Sequence, residues 1–381
     1  MHVPMTRLGE EYVSLRPAID EAIQSVLLSG RYTLESELQA FEEEFAEYVG
    51  VRYAVGVGSG SDALRIALML CDLNPGDEVI TAPNTDNPTA AAIVQAGAEV
   101  VFADVDPSTF NLDPEQVAIA LTDRTKVILP VHLFGHPANM TALCDLAAAR
   151  GLLVVEDAAL ALGATHREQR VGSFGDFACF SVAPSKILGG FGDGGVIVTN
   201  DAQLAERARV WRNYGHGPGT DLNPANLTGG AEWRVVEHGF NSRLDGIQAA
   251  VLRVKLATLD DRLAARRGAA ALYDELLADT DVVTPVIAPG NVSSYYAYTI
   301  LAENRDVLRD ALASRGVATR LYYNPPLYKQ PAFSQQVGSS ASFPMCEDVT
   351  QRALALPIFP QIKDDEVRFV ATCVQEIVGK K

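Results

Sequence analysis

Lys186 stands in an unusual setting. In "SVAPSKILGGFGDGG", Ser181–Gly195, it follows a short apolar approach and precedes five glycines. A lysine amine taken out of water becomes a nucleophile, and glycine lets backbone come close to a flat ligand. The plain alternative is a solvated loop lysine. A second stretch, "LLVVEDA" (152–158), runs four apolar residues into Glu156 and Asp157. A carboxylate at the end of such a strand can face a positively charged ring nitrogen, or Asp157 simply caps a helix. A third, "GVGSGSDALRIAL" (56–68), passes from a strand through Gly and Ser into a helix beginning near Ser61. Free N–H groups and the helix dipole converge on Ser59, Ser61 and Asp62 there, which makes an anion site. Ser61 as an ordinary N-cap is the competing reading. Taken together, an anion cradle, an acid and a lysine match the phosphate, ring nitrogen and aldehyde of pyridoxal phosphate. The lysine would hold the aldehyde as a Schiff base and, once freed by an incoming amine, move a proton.

These residues need a scaffold that brings distant strand ends together. "YAVGVGS" (53–59), "DEVITA" (77–82), "EVVFADV" (99–105), "KVILPVHLFG" (126–135) and "LLVVEDA" alternate with helical patterns such as "NPTAAAIVQAG" (87–97), "DPEQVAIALT" (113–122) and "MTALCDLAAARG" (140–151). Near-continuous apolar strands between helices predict an α/β fold with a mostly parallel, doubly covered sheet. "FACFSVA" (177–183) and "GVIVTN" (195–200) extend it, and "DAQLAERARVWRNYG" (201–215) reads as a helix. "HGPGTDLNPANLTGG" (216–230) reads as a long loop. One or two long helices are expected over 243–277. Beyond them, strands are expected at "SSYYAYTILA" (293–302) and "VATRLYY" (317–323), and helices over 304–316 and 363–379. The 381 residues exceed one ordinary core, so two domains are expected: 1–250 carrying the site, and a smaller α+β domain, 251–381.

The formal charge of −17 argues against nucleic-acid or anionic-membrane partners. No apolar run is long enough to span a bilayer, and the first residues show no secretory core, so a cytoplasmic protein is expected. The five cysteines form no C-x-x-C pair and read as buried thiols, and the six histidines show no metal-binding spacing.

The ordered motifs "LLSGRYTLESELQAFEEEFAEYVGVRYAVGVGSGSDALRIAL", "VEDAALALGA", "FSVAPSKILGGFGDGG", "WRNYG", "GFNSRLDGIQAAVLRVKL" and "YNPPLYKQPAF" resemble the DegT/DnrJ/EryC1/StrS family of sugar aminotransferases over nearly the whole chain. The resemblance implies the three-layer fold-type I architecture of pyridoxal phosphate transferases. It implies Lys186 as the Schiff-base lysine, Asp157 as the partner of the ring nitrogen, and Gly60, Ser61 and Ser181 as phosphate contacts, with Asp62 beside them. Asn241 resembles an asparagine that reaches the phosphate of the neighbouring subunit, so a homodimer with shared sites is implied. The implied reaction takes an amino group from glutamate to a keto group of a nucleotide-linked sugar. The wording of "GSGSDAL" and "GDGG" is more similar to members acting at C3 than at C4. Lys186 sets the chain apart from dehydrating members, which carry histidine there.

Three positions depart from the family pattern. Leu160 stands where a glutamine usually lies near the cofactor, Asp86 where an aromatic usually stacks on its ring, and Val182 where a phenylalanine is usual. They leave a second enzymatic reading open: a cyclitol aminotransferase, or an eliminating or rearranging enzyme on the same scaffold. A non-enzymatic sensor is the third reading, against which Lys186 and Asp157 both weigh.

Overall fold

A computed structural model describes residues 1–217, 234–337 and 341–379. The loop expected at 216–230 lies outside the described residues from 218 onward. Seven strands form the main sheet: β1 (Tyr53–Val57), β2 (Glu78–Thr81), β3 (Glu99–Phe102), β4 (Thr125–Leu129), β5 (Leu153–Asp157), β6 (Phe177–Ser181) and β7 (Gly195–Thr199). Their spatial order is β1-β7-β6-β5-β4-β2-β3. Strands β3, β2, β4, β5 and β6 run parallel, whereas β7 is antiparallel to both β6 and β1. The reversal arises because the segment after β6 folds back on itself, with Val182 N–H donating to Gly194 O at 2.9 Å, instead of crossing the sheet as a parallel connection must.

The helices on this sheet are α1 (Leu8–Ser29), α2 (Ser36–Val49), α3 (Gly60–Met69), α4 (Asn87–Gln95), α5 (Pro114–Ala120), α6 (Met140–Arg150), α7 (Ala202–Trp211), α8 (Gly246–Leu256) and α9 (Leu259–Leu277). Each of α3 to α8 opens on a side chain that accepts a first-turn N–H: Ser59, Asp86, Asp113, Asn139, Asp201 and Asp245. Such caps satisfy donors that a helix start leaves orphaned. The cap of α3 is Ser59 and not Ser61, since the helix already starts at Gly60.

The two largest apolar clusters lie on the sheet, whose Ile80, Ile128 and Val154 pack in a smaller one. Leu64, Val79, Val127, Val155 and Phe177 pack in one of the large pair, and Phe41, Phe45, Phe180, Val196 and Leu252 in the other. Each such side chain contributes about 1.5–3 kcal/mol by leaving water. A further cluster joins Tyr273, Tyr298, Leu312, Leu354 and Val370 to Val3 from the N-terminus. There β8 (Tyr298–Leu301) pairs antiparallel with β9 (Ala353–Leu356).

The expected strand at 317–323 does not form. The edge of β8 is taken by β9, and the segment adds only single bridges at Val317 and Arg320. The strand expected over 293–302 is confined to β8, and the helical run over 243–277 breaks between α8 and α9. Cys179, Cys346 and Cys373 are buried, while Cys71 and Cys144 are only partly so. Among the described residues no helix is long and apolar enough to cross a membrane.

Candidate active site

Strands β1, β2, β5 and β6 share a direction, so their carboxyl ends emerge at one edge of the sheet. That edge is where open α/β sheets bind ligands. Here it encloses a cavity of about 220 Å³. Gly60, Ser61, Asp86, Asp157, Leu160, Ser181 and Lys186 all line it. Asp62 and Asn241 do not.

At one end lies the start of α3. Ser59 Oγ accepts the Asp62 N–H at 3.0 Å, and a Cβ on Gly60 would stand 2.6 Å from Ser181 Cβ. Glycine at 60 therefore lets the end of β6 close on the first turn of α3, beside N–H groups that carry the positive end of its dipole. Asp62 turns elsewhere: its Oδ2 accepts from Ser242 Oγ at 2.7 Å, and Ser242 Oγ in turn accepts the Gly58 N–H at 3.0 Å. Asn241, next to Ser242, is exposed and pairs through its backbone with Asn213. Capping of α8 falls to Asp245, so Asn241 does not serve as that cap.

Glu156 and Asp157 diverge, as successive residues of a strand must. Glu156 is fully buried away from the cavity. It accepts N–H bonds from Gly172, Phe174 and Gly175 at 2.8, 2.9 and 2.8 Å and faces His132 Nε2 at 3.0 Å. His132 Nδ1 accepts the Ala138 N–H at 3.0 Å, which leaves the hydrogen on Nε2, donated to Glu156. Asp157 faces the cavity and is 5% exposed. Its Oδ2 accepts from Thr89 Oγ1 at 2.8 Å and its Oδ1 from Ala159 N–H at 3.2 Å, and Thr85 Oγ1 lies 3.0 Å behind Thr89 Oγ1. Burial raises the Asp157 pKa, opposed by the bonds from Thr89 and Ala159 and by the charge of Lys186.

Lys186 is half-buried, with Nζ 5.3 Å from the centre of the Tyr296 ring. Leu160 forms apolar wall at 5% exposure, and Val182 is buried outside the cavity, where a Cβ on Gly194 would press to 2.7 Å from its Cγ2. Asp86 is exposed at the rim and caps α4 through the Asn87 N–H at 2.8 Å.

Sequence reasoning passed over Thr85, Thr89, Asp193 and Tyr323, all of which line the cavity. Tyr323 ends "VATRLYY" and opens "YNPPLYKQPAF", neither of which points to the cavity, and nothing local marks Thr89 as the donor to a carboxylate 68 residues later.

Thr89→Val keeps the side-chain shape and removes that donor, at a cost of about 1–3 kcal/mol. Because the Asp157 pKa is raised above its ordinary 3.8, the native state holds the proton more tightly than the unfolded chain. The resulting stability is present below that ordinary value and is lost as pH rises through the raised one. Loss of Thr89 raises it further. The melting deficit of the apoprotein variant is expected to widen from about pH 4 to about pH 8. A deficit independent of pH would show that Thr89 does not govern Asp157.

A parallel-sheet α/β fold in which a lysine, a buried carboxylate and a helix N-terminus meet at the strand ends is the aminotransferase architecture. The sequence signature of the DegT/DnrJ/EryC1/StrS aminotransferase family matches residues 14–375. The chain belongs to that family. It is 41% identical over 381 residues to the pleiotropic regulatory protein of Geobacillus stearothermophilus, covering 99% of this chain and 98% of that one. It is 42% identical over 375 residues to the dTDP-3-amino-3,4,6-trideoxy-alpha-D-glucose transaminase of Streptomyces venezuelae, covering 98% and 96%. The crystal structure of S. venezuelae DesV superposes with a TM-score of 0.93 at 41% identity, covering 100% of this chain and 99% of that one.

Proposed function

We propose that the chain moves an amino group from L-glutamate to the C3 keto group of a nucleotide-linked deoxysugar, using pyridoxal phosphate. The observation that carries this reading is the convergence of Lys186, Asp157 and the α3 N-terminus on one cavity. The residues fit the cofactor. A cationic ring nitrogen would relieve the buried Asp157 carboxylate, whose pKa is raised by burial. The first turn of α3, with Ser61 and Ser181, suits a phosphate. When bound, pyridoxal phosphate supplies an aldehyde and an electron-withdrawing ring. Lys186 would hold the aldehyde, and its free amine would be the group placed to move a proton. Asp157, oriented by Thr89, would supply the negative charge that a ring nitrogen needs. The C3 assignment draws support from the name of the S. venezuelae relative.

The regulatory name of the Geobacillus relative makes catalysis the first thing to test. Incubation with glutamate is expected to release 2-oxoglutarate, and the treated enzyme is expected to aminate dTDP- or UDP-linked 3-keto sugars, with the new C–N bond located by NMR. No 2-oxoglutarate would remove glutamate as donor, and amination of the 4-keto isomers in place of the 3-keto sugars would remove the C3 assignment.

Exposed Asn241 is proposed to reach the phosphate in a second copy, so that a homodimer shares its sites. Asn241→Asp would then repel the phosphate, and Lys186→Ala would lack the amine. Mixing the two inactive variants puts both lesions in one site of each mixed dimer and leaves the other intact. Activity is expected to return to about a quarter of wild type once half the dimers are mixed. Subunit exchange verified by mass with no recovered activity would refute shared sites.

A further inference from the structure

The turn that follows Lys186 is gripped by two side chains outside the cofactor cavity, which a third braces. Arg262 donates from Nη2 to Ile187 O at 3.0 Å and from Nη1 to Leu188 O at 3.3 Å. Lys255 Nζ donates to the next carbonyl, that of Gly189. Both cations meet one carboxylate on α1: Glu11 Oε1 lies 3.1 Å from Lys255 Nζ and 2.5 Å from Arg262 Nη2. Lys255 is 2% exposed and Glu11 6%. Gly189 lies at φ +63°, and a Cβ there would come to 2.7 Å from Pro184 O. The turn therefore carries no side chain at its tightest point that could anchor it from within. Glu11, Arg262 and Lys186 also border a common cavity of about 60 Å³, separate from the one at the strand ends.

Buried ion pairs are a weak source of stability, because desolvation offsets most of their attraction. What this set supplies is direction: three consecutive carbonyls, immediately after the reactive lysine, each held by a charged donor. We infer that Glu11, Arg262 and Lys255 are positioning residues that fix where the Lys186 amine stands, so that α1 controls the geometry of the lysine. The inference rests on the proposed role of Lys186 as the residue that bonds the cofactor aldehyde.

The test compares the affinity of the protein for pyridoxal phosphate, which can bond to lysine, with that for pyridoxamine phosphate, which cannot. Glu11→Gln is expected to weaken the first by about tenfold or more and the second by less than about twofold. Glu11→Asp is expected to recover part of the loss. In a Lys186→Ala background, Glu11→Gln is expected to change neither affinity, since the partner through which it acts is gone. Equal weakening of both ligands would show a merely structural role and overturn the inference. If Glu11→Gln does not fold, Arg262→Lys is read in the same way, because it keeps the charge but gives up the fork that reaches two carbonyls. Wild-type protein that does not take pyridoxal phosphate onto Lys186 would overturn the proposed function. Wild type and Glu11→Gln binding pyridoxal phosphate equally would overturn only the positioning role.

Discussion

Lys186→Ala is expected to lose transamination by roughly 10⁴-fold while keeping its fold. The side chain is only half-buried, and its contact with the Tyr296 ring is worth about 0.5–1 kcal/mol. The melting temperature of the apoprotein is therefore expected to move little. Borohydride treatment of the wild-type protein with cofactor, followed by peptide mapping, is expected to leave the label on Lys186. The rival is Lys255. Burial pushes its pKa down to about 8, the property usually sought in a nucleophilic lysine. Geometry decides against it: Lys255 Nζ is engaged by Glu11 and by Gly189 O, and Lys255 does not line the strand-end cavity. Label on Lys255 or any other lysine would refute the assignment.

Asp157→Asn is expected to bind the cofactor and turn over roughly 10²–10³-fold more slowly, the cost of removing one preorganised charge from a dry site. The apoprotein offers an independent measurement. Wild-type Asp157 has a raised pKa, chiefly from burial, so its native state loses stability as pH rises through that value. Asparagine does not titrate. Apo Asp157→Asn is therefore expected to melt close to wild type near pH 4 and above it near pH 8. Near-normal turnover would exclude the catalytic role, and parallel melting curves would exclude the buried charge.

The variants Thr89→Val and Asp157→Asn thus move the same quantity in opposite senses. One raises the cost of keeping Asp157 ionised and the other abolishes it, so together they separate an effect on the carboxylate from general damage to the core.

The sequence by itself determined the alternation of apolar strands with capped helices, and with it the mostly parallel sheet. It also marked Lys186 by its glycines, Asp157 by its strand end, and Ser59 and Ser61 by their turn. These are local signals: periodicity reports which faces are buried, and turn residues report where the chain bends. Tertiary structure decided what depends on partners. The cap of α3 moved to Ser59, and Asp62 was drawn to Ser242. The segment expected as a strand at 317–323 meets its neighbours only through single bridges, Val317 with Val3 and Arg320 with Ala355 of β9, and strand patterning carries no label for its neighbour. The partners of the acidic pair at the end of β5 were also supplied from afar, Glu156 by the loop at 172–175 and Asp157 by Thr89. Glu11, Arg262 and Tyr323 reach the neighbourhood of Lys186 only because distant segments pack there. Long-range contacts of this kind arise from shape and charge complementarity between folded elements, which no window along the chain contains.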